Sequence, residues 1–521
     1  MSDTTITFAI LIAVVVAFVS QRIPVALVAV GTSLALYFTG VLDLDQALAG
    51  FGDPAVIFIA TLFVVSEGLD ATGVTTWVGQ QLIAQVGDSR TRLIVLMMGL
   101  IAVLTALISV NGAVAALLPV IIVIAVRLGR SPSQLLMPLV FGAHAGSMLA
   151  LTGTPVNVIV NEAALSAGVR EFGYLEFALV GVPLLVGSIV IVLLFGERLL
   201  PSRTPKGLPN DFSRHATTLV DQYGLADEAL TLVSRSSGFA EVVVPPRSAF
   251  VGDPVFPGMV TETGNLVVKA IQRAGATLAP RETPLEVGDV LLLYGSWTNL
   301  DERANDPNLL IVDPPDRIRR QVVPLGTGAR EAIAILIAMV VLLATGIVPS
   351  VIAGLLAAGA MVVVRVLTME ASYRAINWTT VLLVAGMIPL STAMTTTGAA
   401  DVVADGLVGF TRGLGPFALL AGLFIITATL GQLISNMATA LIVIPIALAA
   451  ASDLAVSPLP VLMSVSVAAA AAYLTPVATP VNMIVLEPGG YRFGDYWKLG
   501  LPLLGLSFVV AVGLVPVFWP F

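Results

Sequence analysis

Cysteine is absent from the 521 residues, which excludes disulfides, thiolate metal ligands and thiol catalysis. Histidine is nearly absent as well: only His144 and His215 offer an imidazole. Charged residues make up 11% of the chain against 57% hydrophobic ones, so apolar surface must face lipid rather than water. This is the composition of an all-α polytopic membrane protein. The net charge of -8, with no basic run to offset it, argues against a nucleic-acid partner. The first apolar segment, 5–20, has no basic leader of the secretory type and is expected to be a retained span. No nucleophile–base pair or metal cluster stands out, so an enzyme is not expected.

What is present is present twice. Thr154-Pro155-Val156-Asn157 returns 325 residues later as Thr479-Pro480-Val481-Asn482. The same offset pairs Asn111 with Asn436, Ala113 with Ala438, Gly73 with Gly398, Thr72 with Thr397, Ser66 with Ser391 and Pro24 with Pro349, with no insertion from Pro24 to Val160. One register that aligns prolines, glycines and asparagines along an apolar half indicates duplication, and function is expected where the halves meet.

A span needs roughly 20 apolar residues to cover about 30 Å of hydrocarbon. In the first half, 5–20, 22–40, 54–72, 133–168 and 175–196 are expected to cross. Arg90 and Arg92 precede the run 92–108 and Arg127 and Arg130 follow 112–127, so basic residues mark both ends as cytoplasmic. The pair therefore reads as a re-entrant hairpin with its tip, Ser109-Val110-Asn111-Gly112, in the membrane. Gly153-Thr154-Pro155 interrupts 133–168 and reads as a broken helix, because Thr is a favoured N-cap and Pro is tolerated at the first helical position. Five crossings invert the second copy. Its crossings are expected at 331–347, 350–366, 379–397, 457–487 and 496–518, with a hairpin at 416–452 and a tip at Ile434-Ser435-Asn436-Met437. Arg198, Arg203, Arg319, Arg320, Arg330, Arg365 and Arg374 then fall on cytoplasmic segments, and both termini face outside.

Segments 74–88, with Gln80, Gln81 and Gln85, and 399–413, with Asp401, Asp405 and Arg412, are amphipathic and are expected along the membrane interface. Glu67 and Asp70 are expected to reach the cytoplasmic interface, and Glu162 the outer surface. Between the halves the composition changes, with short β-type runs at Glu241–Val244, Leu266–Ile271, Val290–Tyr294 and Leu309–Val312. A small α+β soluble domain, 207–318, is therefore expected on the cytoplasmic link between a first repeat, 1–200, and a second, inverted one, 329–521.

Two tips and two breaks bring four helix N-termini, after Asn111, Thr154, Asn436 and Thr479, towards the bilayer midplane. Free N–H groups and the positive end of each dipole suit an anion. No Lys or Arg lies near the breaks, so a divalent anion needs a mobile counter-charge, and the carbonyls of the unwound segments suit a small hard cation such as sodium. Asn157 and Asn482 can offer side-chain oxygen to the cation, while Ser109, Ser435, Thr154 and Thr479 can bond either ligand. Local capping is the blander account of each residue alone.

The pair Gly153-Thr154-Pro155-Val156-Asn157 and Ala478-Thr479-Pro480-Val481-Asn482, each preceded by a hairpin with a Ser/Asn tip, resembles the divalent anion:sodium symporter family over about 1–200 and 330–521. The resemblance implies a homodimer in the cell (inner) membrane, whose transport domain moves as an elevator. It implies the anion between the tips, at Ser109, Asn111, Gly112, Ser435, Asn436, Met437, Thr154 and Thr479. It also implies two sodium sites, Ser109, Asn111, Gly153 and Asn157 for one and Ser435, Asn436, Ala478 and Asn482 for the other. The family's usual tip is Ser-Asn-Thr, whereas Val110-Asn111-Gly112 and Ser435-Asn436-Met437 lack both threonines and one serine, which turns the expectation from a dicarboxylate to a compact oxyanion, sulfate first. The insert, from Ala240-Glu241-Val242-Val243-Val244 to Gly288-Asp289-Val290-Leu291-Leu292, resembles the C-terminal ligand-binding (TrkA-C-like) domain of regulators of potassium conductance, which implies a small-molecule regulator or added dimer contacts. Permeases carrying such an insert are commonly associated with sulfate. The expected function is sodium-coupled import of sulfate. A sodium/C4-dicarboxylate symporter, an arsenite-type exporter and an anion sensor are the alternatives.

Overall fold

The computed structural model describes residues 2–20, 22–75, 77–78, 81, 89–128, 130–203, 237–261, 265–279, 281–304, 306, 308–312, 326, 328–411 and 415–521. The expectations placed on His215, Gln80, Gln85, Arg319, Arg320 and Arg412 lie outside them. The chain divides into two compact units, one of 1–68, 81–208 and 331–521 and the other of 69–80 and 209–330.

In the first unit the chain runs through α1 (Asp3–Ser20), α2 (Val25–Phe38), α3 (Pro54–Ala71), α4 (Arg90–Leu107), α5 (Val110–Arg127), α6 (Ser133–Gly146), α7 (Pro155–Ser166) and α8 (Ala178–Leu199). After the second unit, whose one described helix of eight residues is α9 (Trp297–Ala304), the same order returns. It comprises α10 (Ala329–Thr345), α11 (Ser350–Val363), α12 (Trp378–Thr396), α13 (Ala399–Thr411), α14 (Pro416–Gly431), α15 (Asn436–Asp453), α16 (Pro458–Ala470), α17 (Pro480–Ile484) and α18 (Tyr496–Val509), which continues through a π-turn to Phe518. Among the described residues seven helices are long and apolar enough to cross a membrane and five apolar ones are shorter. The protein is a multi-pass membrane protein.

The shared punctuation has local causes. Pro24 and Pro349 stand at the N-caps of α2 and α11, where a missing N–H costs nothing. Gly73 and Gly398 take φ of 75° and 71° just past α3 and α12, the left-handed turn that ends a helix and that a β-carbon disfavours. The halves interlock, with α2 packed on α12 and α7 on α16. The short α17 packs on α5 and α6.

One expectation needs correction. The helix after the second break ends at Ile484 rather than near 487, because Pro488 disfavours helical backbone at Glu487 and Gly490 turns with φ of 61°. The 399–413 segment is helical to Thr411 and amphipathic, packing on α15 through Ala399, Ala400, Ala404 and Val408 while Asp401 and Asp405 are exposed. Its partner, 74–88, lies largely outside the described residues.

The second unit holds an antiparallel sheet in the order β4 (Ala276–Thr277), β3 (Leu266–Arg273), β6 (Val290–Ser296), β1 (Ser237–Val243), β7 (Leu310–Ile311), and a second pair, β2 (Pro254–Val255) with β5 (Thr283–Pro284). Each of the four expected β-type runs overlaps one of its strands, with Val244, Leu309 and Val312 just outside them. Alternate residues Ala240 and Val242, Leu266 and Val268, and Leu291 and Leu293 form its core with Trp297 and Leu300. Gly288, with φ of 89°, makes the turn that feeds β6. Asp289, almost wholly buried, accepts from Arg273 Nε and Nη2 at 2.8 Å and from Glu286 N–H at 2.8 Å. Burial pushes that carboxyl up, but these bonds outweigh it and hold it below the usual carboxylate range.

Candidate functional site

Each hairpin tip is a serine-capped helix start. Ser109 Oγ accepts from Gly112 N–H at 3.2 Å as α5 begins, and Ser435 Oγ accepts from Ala438 N–H at 3.3 Å as α15 begins. The caps are 326 residues apart rather than 325, so Asn111 occupies the second position of its helix and Asn436 the first. The first helix therefore begins one residue before its asparagine and the second at its asparagine, not after them as expected. Ser66 of α3 reaches the first tip, its Oγ accepting from Ser109 N–H at 3.3 Å. Its repeat mate Ser391 lines a different cavity.

The breaks follow the expected capping. Thr154 Oγ1 accepts from Val156 N–H at 3.4 Å and Thr479 Oγ1 from Asn482 N–H at 3.5 Å, each with extended backbone before a proline at the first helical position. At Gly153 a β-carbon would lie 2.2 Å from Ser147 O, so only glycine fits there.

Both tips and both breaks line one cavity of ≈ 130 Å³. It brings together Ser109, Asn111, Gly153, Thr154, Ser435, Asn436, Met437, Ala478 and Thr479. His144 and Ser147 of the first broken segment, Thr152, and Ile59, Leu62, Phe63 and Thr380 from α3 and α12 complete most of the wall. No Asp, Glu, Lys or Arg is among the lining residues. Asn436 Oδ1 is buried without a hydrogen-bond partner, which leaves a strong acceptor for a ligand.

Three expected site residues are not in the wall: Gly112, Asn157 and Asn482. Asn157 and Asn482 are fully buried, and their side chains are used inside the protein. Asn157 Nδ2 donates to Ser147 O (3.0 Å) and Ala150 O (2.9 Å), and Asn482 Nδ2 donates to Ala472 O (2.9 Å) and Thr475 O (2.8 Å). Their oxygens are also taken, by Ser466 Oγ at 2.8 Å and His144 Nε2 at 3.1 Å. Each oxygen thus accepts one hydrogen bond of the two it can take, and both side chains shape the breaks from behind the cavity wall. Thr380 was not legible beforehand: its repeat mate is Ala55, so the duplication does not flag it.

Polar ties close the bundle at both ends of α8. Before its start, Arg170 Nη1 and Nη2 donate to Glu176 at 2.8 and 2.6 Å, joined by Gly173 N–H at 2.7 Å and Trp519 Nε1 at 2.6 Å. Beyond its end, Arg203 Nη1 donates to Asp495 Oδ2 at 2.6 Å, and Arg492 N–H to the same oxygen at 2.8 Å. Burial pushes both carboxyls up, but these bonds outweigh it and hold both below the usual carboxylate range. A second cavity of ≈ 670 Å³, in contrast to the first, is lined by the carboxylates Asp53 and Glu162 and by hydroxyls of α12.

Two halves of one plan that meet at a cavity inside a polytopic helical bundle define a membrane transporter. The chain belongs to the citrate transporter family, whose profile matches residues 15–456 and again 415–521. It is 30% identical to the uncharacterized transporter YfbS of Escherichia coli over 97% of this chain and 98% of that one. It is 26% identical to sodium/sulfate cotransporter 2 of Chlamydomonas reinhardtii over 52% of this chain and 31% of that one. The fold resembles the crystal structure of the Alcanivorax borkumensis YdaH transporter, with a TM-score of 0.50 and 14% identity, covering 93% of this chain and 88% of that one. The family is of the divalent anion:sodium symporter type and its members are transporters rather than enzymes.

Proposed function

We propose that the protein is a sodium-coupled symporter that imports a small divalent anion, sulfate before others, by an elevator motion of two inverted repeats. The observation that carries this reading is the cavity lined by both tips and both breaks without one charged side chain. Helix starts offer N–H groups and positive dipole ends to an anion, and the hydroxyls of Ser109, Ser435, Thr154 and Thr479 add donors. With no fixed cation in the wall, a dianion requires a mobile one. Asn436 Oδ1, a buried acceptor with no partner, suits sodium rather than the anion. The two sodium ions fall to Ser109, Asn111 and the carbonyl at Gly153, and to Ser435, Asn436 and the carbonyl at Ala478, with Asn157 and Asn482 behind them.

A cavity of ≈ 130 Å³ is well below the ~300–1,000 Å³ of sites for drug-sized ligands, which favours a compact oxyanion over a tricarboxylate. The name of the Chlamydomonas relative points the same way. A carboxylate substrate is the second reading, favoured by the family's description and tested by competition with succinate and citrate. The same proposal includes a homodimer, outward-facing termini, and a cytoplasmic insert of the potassium-conductance-regulator type that binds a small regulator.

The test is uptake of labelled sulfate into proteoliposomes with and without an inward sodium gradient. Sodium-dependent uptake is expected. Sulfate uptake indifferent to sodium would overturn the coupling, and sodium-driven uptake of a carboxylate in place of sulfate would overturn the substrate.

A further inference from the structure

Asn157 and Asn482 meet the same need with the same atoms. Each amide nitrogen donates to the carbonyls ten and seven residues before it, Ser147 and Ala150 in one half, Ala472 and Thr475 in the other. These carbonyls sit where a helix has been interrupted; Ala150 O also accepts from Gly153 N–H at 3.1 Å, while the amides serve Ser147 O, Ala472 O and Thr475 O. An amide nitrogen has two hydrogens, so both are used, the amide cannot flip, and its oxygen must accept. In both breaks the donor to that oxygen comes from the opposite repeat. Ser466 of α16 serves Asn157 Oδ1, and His144 of α6 serves Asn482 Oδ1, which places the hydrogen on Nε2. The two donors are not repeat mates: 325 residues from Ser466 stands Phe141, and from His144 stands Ala469. Positions 141 and 144 are one helical turn apart and share a face, so the two halves reach the same acceptor from neighbouring turns.

We propose that His144 and Ser466 are positioning residues that tie each break to the opposite repeat, so that the shape of one half of the site depends on the other half. His144 also lines the cavity. The tie itself stands on geometry; its consequence for transport rests on the sodium-symporter reading.

The absence of cysteine allows a direct test on the full-length protein. Ala478→Cys reports on the second break and Leu151→Cys on the first, both positions being buried, and the readout is the rate of alkylation by a water-soluble maleimide. His144→Phe, which removes the donor, is expected to speed labelling at Ala478→Cys by about tenfold or more and to leave Leu151→Cys within about twofold. Ser466→Ala is expected to do the reverse. His144→Gln restores an N–H donor and should bring the rate back towards that of the reporter alone. Equal acceleration at both reporters, no acceleration at either, or a His144→Gln protein that behaves like His144→Phe would overturn the proposal. Should His144→Phe fail to fold, Ser466→Ala, a smaller change, carries the same test in the opposite direction.

In proteoliposomes both variants should raise the half-saturating sodium concentration by about three- to tenfold with a smaller change in maximal rate. Unchanged half-saturation in both, beside a sodium-dependent wild type, overturns the coupling between halves. A wild type without sodium dependence counts against the symporter reading and leaves the labelling result to decide the tie.

Discussion

In the first break Leu151 N–H bonds to Tyr174 O at 2.9 Å, and the Thr152 hydroxyl bonds to Ala106 O at 2.9 Å. In the second break one side chain takes both tasks: Gln432 Oε1 accepts from Leu474 N–H at 2.9 Å, while its Nε2 donates to Ala471 O at 3.1 Å. The outer supports differ, yet the inner amide clamp is repeated atom for atom. The two copies have thus kept what shapes the unwound carbonyls and changed what anchors them to the rest of the bundle. This is expected if the carbonyls meet a ligand and the anchors meet only protein, because any donor that satisfies a buried carbonyl serves an anchor equally well.

The largest effect is expected at the tips. Asn111→Ala and Asn436→Ala should each reduce sodium-driven uptake to background while the purified protein stays monodisperse and folded. Asn436 is the sharper case, because its Oδ1 has no partner in the protein to lose. Full flux through Asn111→Ala alone would break the equivalence of the tips.

Next come the clamps. Asn157→Ala removes the bond to Ser147 O and one of the two to Ala150 O, Asn482→Ala removes those to Ala472 O and Thr475 O, and each leaves a cross-repeat donor without its amide acceptor, a loss of about 2–4 kcal/mol, read as a drop in melting temperature in detergent. If only one of the pair destabilised the protein, the repeated clamp would not be a shared device. Gln432→Leu, which installs the residue found at the matching position 107, should cost less, about 1–3 kcal/mol, because the amide clamp remains in place. Loosening should be confined to the second break, as alkylation of a cysteine at Ala478 against one at Leu151 would report.

Much of this comparison was legible in the residues and part was not. Thr154 and Thr479 announce the breaks because an N-cap followed by proline is a local signal with local causes. The hairpin expectation rests on arginines at both ends of the first pair, since Arg90–Leu107 and Asn436–Asp453 are each long and apolar enough to cross. The repeat register went wrong by one residue at the tips, because a helix begins where a serine hydroxyl can cap it, and Ser109 and Ser435 stand 326 apart. The use of Asn157 and Asn482 was not legible for a different reason. Their partners are carbonyls of irregular backbone and side chains at non-equivalent positions, His144 and Ser466, and no periodicity or offset brings those together before the chain has folded. A side chain that can ligate an ion can also pair with backbone, and only the three-dimensional arrangement decides between them.

The smallest expected effect separates the two ends of α8. Glu176 and Asp495 both titrate below the usual carboxylate range in the folded protein. A folded value below the unfolded one contributes stability that is complete above about pH 4–5 and is lost as pH falls through the folded value, so melting temperature should decline on the acid side of about pH 4. Each pair contributes at most about 1 kcal/mol, since exposed partners are screened by solvent. Arg203 is 33% exposed and Asp495 6%, against 55% for Arg170 and 17% for Glu176, so the Arg203 pair is the better shielded. Asp495→Asn should therefore flatten the acid limb more than Glu176→Gln, in melting curves recorded from about pH 3 to about pH 7. The opposite order would mean that the Trp519 and Gly173 bonds, rather than the arginine, set the contribution of Glu176, and that this end of the helix is held chiefly by the chain's final turn.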